Sequence, residues 1–209
     1  CISTDNKFSL LEPRDIQKIN DMIKNINISK DLEVELRLGK INQSFRPEIN
    51  KDKFEFLINK LKGYNFKMEV SDFVDIYAGG IRTRYLFSGD FKKYILSESV
   101  IKTRISNLDI NLYKVLDTDV RVSMSTEVKV REYNTEGKSY RKYRVSYTDP
   151  NSLFRVDFTS INDGQYVHND RTFLQNQDSR ETLQVELEIL SSDINVSNLF
   201  KFLSSVLSM

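Results

Sequence analysis

Between Val120 and Arg131 the chain alternates without a break. Val120, Val122, Met124, Thr126, Val128 and Val130 share one parity, and Arg121, Ser123, Ser125, Glu127, Lys129 and Arg131 share the other. Residues two apart lie on the same face of a strand, so this run is a strand with one apolar and one polar face. The same alternation recurs at Leu32–Leu38, Ile81–Phe87, Val100–Ile105, Tyr140–Tyr147, Leu153–Ile161 and Leu183–Leu190. Turn residues separate several of these runs: Ala78-Gly79-Gly80, Ser88-Gly89-Asp90, Glu136-Gly137, Asp149-Pro150-Asn151 and Asp163-Gly164. Long strands joined by short connections pair antiparallel. Three stretches keep the helical period instead: Ile16, Ile19, Ile23 and Ile26 after Pro13; Phe54, Leu57, Ile58 and Leu61 between Asn50 and Gly63; and Leu199, Leu203 and Val206 after Asn195. The pattern predicts an α+β fold, with a large antiparallel sheet or barrel and about three helices. The polar stretch Gln165–Arg180 reads as the longest loop.

Composition narrows the chemistry. The chain has 209 residues, enough for a sizeable core, and reads as one domain spanning 1–209. With 31 Lys and Arg against 30 Asp and Glu, the net charge is +1, unlike a protein that coats a polyanion. One Cys, Cys1, excludes a disulfide framework and a cysteine zinc site, and one His, His168, excludes any two-histidine metal motif. Seven Gly and three Pro leave no glycine-rich phosphate loop. No apolar run reaches membrane-spanning length, and a cytoplasmic setting is expected. The lack of an initiator Met is read as a sign of a fragment of a longer protein.

Alternation alone describes any sheet with one wet face. Here the polar positions carry full charges in like-signed pairs: Glu33 and Glu35, Arg82 and Arg84, Lys102 and Arg104, Lys142 and Arg144, Glu186 and Glu188. Two like charges ~6–7 Å apart repel by roughly 2.5 kcal/mol at an effective dielectric of ~20. The signs also segregate. The Glu-x-Glu pairs lie on the first and last strands, and the basic pairs lie between. Closing the sheet into a barrel would bring the four glutamates together, where a divalent cation with oxygen ligands would relieve them. Basic strands facing them would suit a polyphosphate.

Glu33-Val-Glu35-Leu-Arg37 and Glu186-Leu-Glu188 resemble the paired glutamate motifs of the triphosphate tunnel metalloenzymes. Ser125-Thr-Glu127-Val-Lys129, Lys142-Tyr-Arg144-Val-Ser146-Tyr147 and Arg155-Val-Asp157-Phe-Thr159 extend the likeness, in order, across residues 32 to 190. The set is similar to the metal-dependent RNA 5′-triphosphatases of fungi, protists and large DNA viruses. Arg37 stands where the branch acting on small triphosphates usually has Lys, and a helix precedes the strand, which favours the RNA branch. The resemblance implies an eight-stranded antiparallel tunnel. It implies hydrolysis of the γ-phosphate of 5′-triphosphate RNA, the first step of mRNA capping, and hydrolysis of nucleoside triphosphates. By match, Glu33, Glu35, Glu186 and Glu188 hold Mg²⁺ or Mn²⁺. The basic wall falls on Arg82 or Arg84, Lys102 or Arg104, Lys129, Lys142 and Arg144, with Glu127 and Asp157 orienting side chains or water. Implied partners are the triphosphate end of nascent RNA and covalently linked guanylyltransferase and methyltransferase domains, with no membrane.

Some residues read as bystanders. Arg121, Arg131 and Arg155 divide evenly between wall and exterior, His168 belongs to the polar stretch, and the aromatic residues are mostly the outer apolar face. Two other functions fit the same strands. One is a tunnel hydrolase of inorganic or small organic triphosphates, and the other is a non-catalytic β-barrel that binds RNA or another capping component.

Overall fold

The computed structural model describes residues 10–27 and 29–208. Pro13–Lys24 forms α1, and the strands β1 (Leu32–Asn42) and β2 (Ser44–Arg46) follow. After α2 (Lys51–Lys62) come β3 (Lys67–Ala78), β4 (Ile81–Ser88) and β5 (Lys93–Ile110). A single helical turn, α3 (Tyr113–Leu116), leads to β6 (Asp119–Lys129), β7 (Lys138–Thr148), β8 (Phe154–Val167), β9 (Thr172–Gln175) and β10 (Thr182–Ile189). The chain ends in α4 (Val196–Leu207).

All pairings are antiparallel, in the order β10-β1-β6-β5-β4-β3-β7-β8, and β8 pairs back with β10. These eight strands therefore close a barrel, the form the resemblance implies, while β2 and β9 extend two of them outside the ring. Closure removes every free edge within the ring. The first and last long strands meet as expected, with Glu35 opposite Glu188 and Arg37 opposite Glu186.

The helices start where the chain supplies caps. The Asn50 side chain accepts from the Lys53 N–H, and Asn195 accepts from Asn198 N–H. Ile19 and Ile23 of α1, Leu57 and Leu61 of α2, and Leu199, Leu203 and Val206 of α4 are buried in one core with β1, β6, β8 and β10. Val34, Leu36, Val120, Val122, Phe158 and Leu187 meet them from the barrel's outer face. Apolar parity therefore faces outward under the helices, and charged parity faces the lumen.

Two expectations are corrected here. The polar stretch Gln165–Arg180 is not one loop: β8 runs on to Val167 and turns into β9. Its Tyr166 packs with Val74, Ile76, Tyr85 and Tyr94, with Phe173 against them, in a second small core separate from the one under the helices. Tyr166 stacks on Tyr85 with ring centroids 4.4 Å apart. Residues 67–78, not read as a strand, form β3, because Val74 and Ile76 face this core while Phe73, Asp75 and Tyr77 face the opposite way.

Candidate active site

Within the barrel lies a cavity of about 730 Å³. Its walls carry Arg82 and Arg84 from β4, Lys102 from β5, Glu127 from β6, Lys142 and Arg144 from β7, and Asp157 from β8. Glu33 and Glu35 from β1, and Glu186 and Glu188 from β10, complete the residues expected there. Period-two strands in a closed barrel force this result, since one parity must point inward.

The basic wall is held by a buried carboxylate. Asp75 on β3 is 0% exposed. Arg84 grips it with two hydrogen bonds of 2.8 and 2.9 Å, Lys142 Nζ donates at 2.9 Å, and Arg82 stands at 3.8 Å. Burial alone would raise the Asp75 pKa, but the Arg84 hydrogen bonds and the charges of Lys142, Arg84 and Arg82 outweigh it. The carboxyl is held well below the usual carboxylate range. Arg84 also lies 4.0 Å from the centroid of the Phe73 ring, which fixes the plane of its guanidinium. Arg144 is held more lightly: its Nε donates to Thr159 at 3.0 Å, and Asp157 and Glu186 stand at 3.8 and 4.0 Å.

Carboxylates crowd the opposite wall. Glu33 accepts from Lys102 Nζ at 2.7 Å, and the same nitrogen reaches Glu35 at 3.4 Å and Glu127 at 3.5 Å. Burial would lower the Lys102 pKa, but Glu35 and Glu33 reverse this and raise it. Arg155 binds Asp157 through two hydrogen bonds of 2.8 and 2.9 Å and also donates to Glu188. Burial, reinforced by Glu33, Asp157 and Glu35 against the pull of Arg155, pushes the Glu188 carboxyl up to about 7. Such a group gains from a cation more than an ordinary surface glutamate does. Glu186 shares Arg37 with Glu35. Arg37 Nε lies 3.1 Å from it, without the alignment of a hydrogen bond, while Arg37 Nη2 lies 3.1 Å from Glu35. Among the described residues no three acidic, His or Cys groups close into a preformed ligand cluster. Glu33, Glu35 and Glu188 nevertheless offer an all-oxygen donor set on the cavity wall, which fits a hard divalent cation.

Two expected wall residues are placed otherwise. Lys129 is 81% exposed in its side chain and stands 3.9 Å from Glu98, outside the residues lining the cavity. Arg104 is also outside the lining: it pairs with Ser125 in register with Lys102, and its guanidinium is taken up by Ser125, Ser123 and Asn107. Arg121, left open between wall and exterior, pairs with Asp109. Arg131 is exposed in the segment after β6, and His168, also exposed, lies just past β8. Cys1 lies outside the described residues.

Sequence reasoning missed Asp75 and Glu98 and left Arg37 and Arg155 outside the site. Asp75 had one available signal, the alternation Phe73, Asp75, Tyr77 beside Val74 and Ile76, which places a lone carboxylate on the lumen parity.

The sequence matches the mRNA triphosphatase family, described as the mRNA capping enzyme, beta chain, over residues 81–201, more than half of the chain. The chain belongs to this family. It is an RNA triphosphatase, an enzyme that acts on the 5′ end of RNA in mRNA capping, and such triphosphatases are metal-dependent. Solved structures agree on the tunnel fold. The chain is similar to the S. pombe Pct1 RNA triphosphatase, with a TM-score of 0.67 and 18% identity over 90% of this chain and 82% of that one. It is also similar to the RNA triphosphatase domain of a trifunctional mimivirus mRNA capping enzyme, with a TM-score of 0.62 and 16% identity over 96% of this chain and 97% of that one. No curated protein matches the triphosphatase in sequence. No described helix is long and apolar enough to cross a membrane.

Proposed function

We propose that this triphosphatase cleaves the bond to the γ-phosphate of 5′-triphosphate RNA, releasing inorganic phosphate and leaving a 5′-diphosphate, and that it also hydrolyses nucleoside triphosphates. One observation carries the reading: a closed tunnel holds Arg84, Lys142 and Arg144 on one wall and Glu33, Glu35 and Glu188 on another. A triphosphate is the ligand whose charge needs both. Glu33, Glu35 and Glu188 would hold Mg²⁺ or Mn²⁺. A bound ion of this kind neutralises phosphoryl oxygens and acidifies a water molecule.

The chain's own residues do the rest. Arg84 and Lys142, anchored on Asp75, bind phosphate oxygens and stabilise the charge that builds as the P–O bond breaks. Arg144 binds a further oxygen, since among the described residues its one hydrogen-bond partner is the neutral Thr159. Arg82 is braced by Glu98 and Glu127 at 3.5 and 3.3 Å and sets the position of its neighbours. Asp157 accepts from Ser146 at 2.6 Å and keeps Arg155 in place beside Glu188. Arg37 bridges Glu35 and Glu186, 3.1 Å from each, and offsets their charge. The domain is proposed to work on nascent RNA within a larger capping enzyme that carries guanylyltransferase and methyltransferase domains, in the cytoplasm.

The test is a short transcript labelled separately at its α- and γ-phosphates and incubated with Mn²⁺. The expected products are free γ-phosphate and an α-labelled 5′-diphosphate. Release of pyrophosphate would overturn the assignment. Competition with inorganic tripolyphosphate ranks the RNA end against a small triphosphate as the preferred substrate.

A further inference from the structure

Two strands of the cavity wall, β8 and β10, are chemically graded along their length. From one end to the other, the lumen residues of β8 are Arg155, Asp157, Thr159 and Ile161, and those of β10 are Glu188, Glu186, Gln184 and Thr182. Both strands pass from charged to uncharged side chains in the direction of the Gly79-Gly80 turn. At that end β3 contributes Tyr77 and β7 contributes Tyr140. Register makes these one diagonal row. Tyr77 pairs with Lys138 and Asp75 with Tyr140, so the two tyrosines are same-face diagonal neighbours; Ile161 is the next neighbour on β8 and pairs with Thr182. The rings meet edge to face with centroids 6.0 Å apart. Tyr77 is 39% exposed although it lines the cavity, and its hydroxyl accepts from Lys142 Nζ at 3.0 Å. They are the two aromatic residues among the described lining residues.

We propose that this end of the tunnel receives the first nucleoside of the substrate, its base lying against Tyr77 and Tyr140 while the phosphates run inward toward the carboxylates. The proposal rests on the triphosphatase reading and gives the substrate a direction in the tunnel. Lys142 joins the two regions: it touches Asp75 in the phosphate wall and Tyr77 in the aromatic row. Lys138, beside Tyr77 at the same end, meets the RNA backbone as it leaves. Stacking on a tyrosine face tolerates every base, so this end senses that a nucleoside is present without reading which one. The sequence showed no such aromatic array, because Tyr77 and Tyr140 are 63 positions apart and meet only through β3–β7 pairing.

The discriminating comparison uses ATP, which carries a nucleoside, and inorganic tripolyphosphate, which does not. In the Mn²⁺-loaded enzyme, Tyr140→Leu should lower the ratio of kcat/KM for ATP to that for tripolyphosphate about tenfold, mostly through KM, the size expected for one lost base stack. Tyr140→Phe should keep the wild-type ratio. An equal loss on both substrates would make the ring a wall element only and overturn the proposal, as would an unchanged ratio. A second measurement needs no variant: the fluorescence of 2-aminopurine riboside 5′-(β,γ-imido)triphosphate should be quenched on binding the wild-type enzyme, and binding without quenching would place the base elsewhere. Failure of the wild-type enzyme to hydrolyse any triphosphate would instead count against the triphosphatase reading itself.

Discussion

Glu188 sits in an environment unlike that of an ordinary glutamate. Its carboxyl is pushed from 4.5 to about 7 by burial and by the neighbouring Glu33, Asp157 and Glu35. A carboxyl with a raised folded-state pKa favours the folded protein below the unfolded value, and that contribution is lost as pH rises through about 7. Without divalent metal, wild-type stability should therefore fall between pH 5 and pH 8, by about 3 kcal/mol at most from this group. Glu188→Gln should remove most of that slope, as thermal melts in EDTA at the two pH values would record; an unchanged slope would assign the titration to another group. Asp75 has the opposite sign. Its depressed pKa gives stability that is present above the ordinary carboxylate value and is lost only in strong acid. Asp75→Asn leaves Arg84, Lys142 and Arg82 facing one another, and should cost about 3–5 kcal/mol by urea denaturation at pH 7.

At the scale of elements, β7 carries two wall residues of unequal freedom. Lys142 is shared between Asp75 and Tyr77, whereas Arg144 hydrogen-bonds only Thr159 among the described residues. Arg144→Ala should slow turnover by about 10²-fold with modest change in melting temperature, and Arg144→Lys should recover only part of it if a guanidinium fork meets the phosphate. Full activity in the alanine variant would mean that β7 does not touch the substrate. The β8–β9 hairpin depends on close backbone approach. A Cβ at Gly164 would lie 2.2 Å from the Leu174 carbonyl oxygen, so Gly164→Ala should pry β9 from β8 and loosen the Tyr85–Tyr166 stack. Faster amide exchange across Thr172–Gln175 would record it, with the barrel itself retained.

For the whole molecule, metal, lumen and fold are coupled. An ion that binds only the folded enzyme stabilises it by about 2.7 kcal/mol at a hundredfold excess over Kd. Mn²⁺ should therefore raise the melting temperature of the wild-type protein, and Glu33→Ala, Glu35→Ala or Glu188→Ala should abolish both that shift and turnover. Any of the three retaining both effects would remove that residue from the metal set. Excess EDTA should stop the reaction, and Cys1→Ser should leave it unchanged, because a thiolate has no part in this chemistry.

The local pattern carried much of this protein. Strict alternation from Val120 to Arg131 and its repeats determined the strands and their two faces, and Glu33-x-Glu35 with Glu186-x-Glu188 marked the two strands whose pairing closes the barrel. These features are legible because side-chain direction in a strand depends only on parity. Parity cannot say how far around the ring a residue sits, or where register slips. Glu186 shares a face with Glu188, yet register sets it opposite Arg37 while Glu188 stands opposite Glu35. Arg104 shares parity with Lys102, yet Ser125, Ser123 and Asn107 take up its guanidinium and it stays out of the lining. Asp75 became the anchor of the basic wall only because β3 lies between β4 and β7. Which charges meet is decided by strand order and register, and those are set by contacts between residues far apart in the chain.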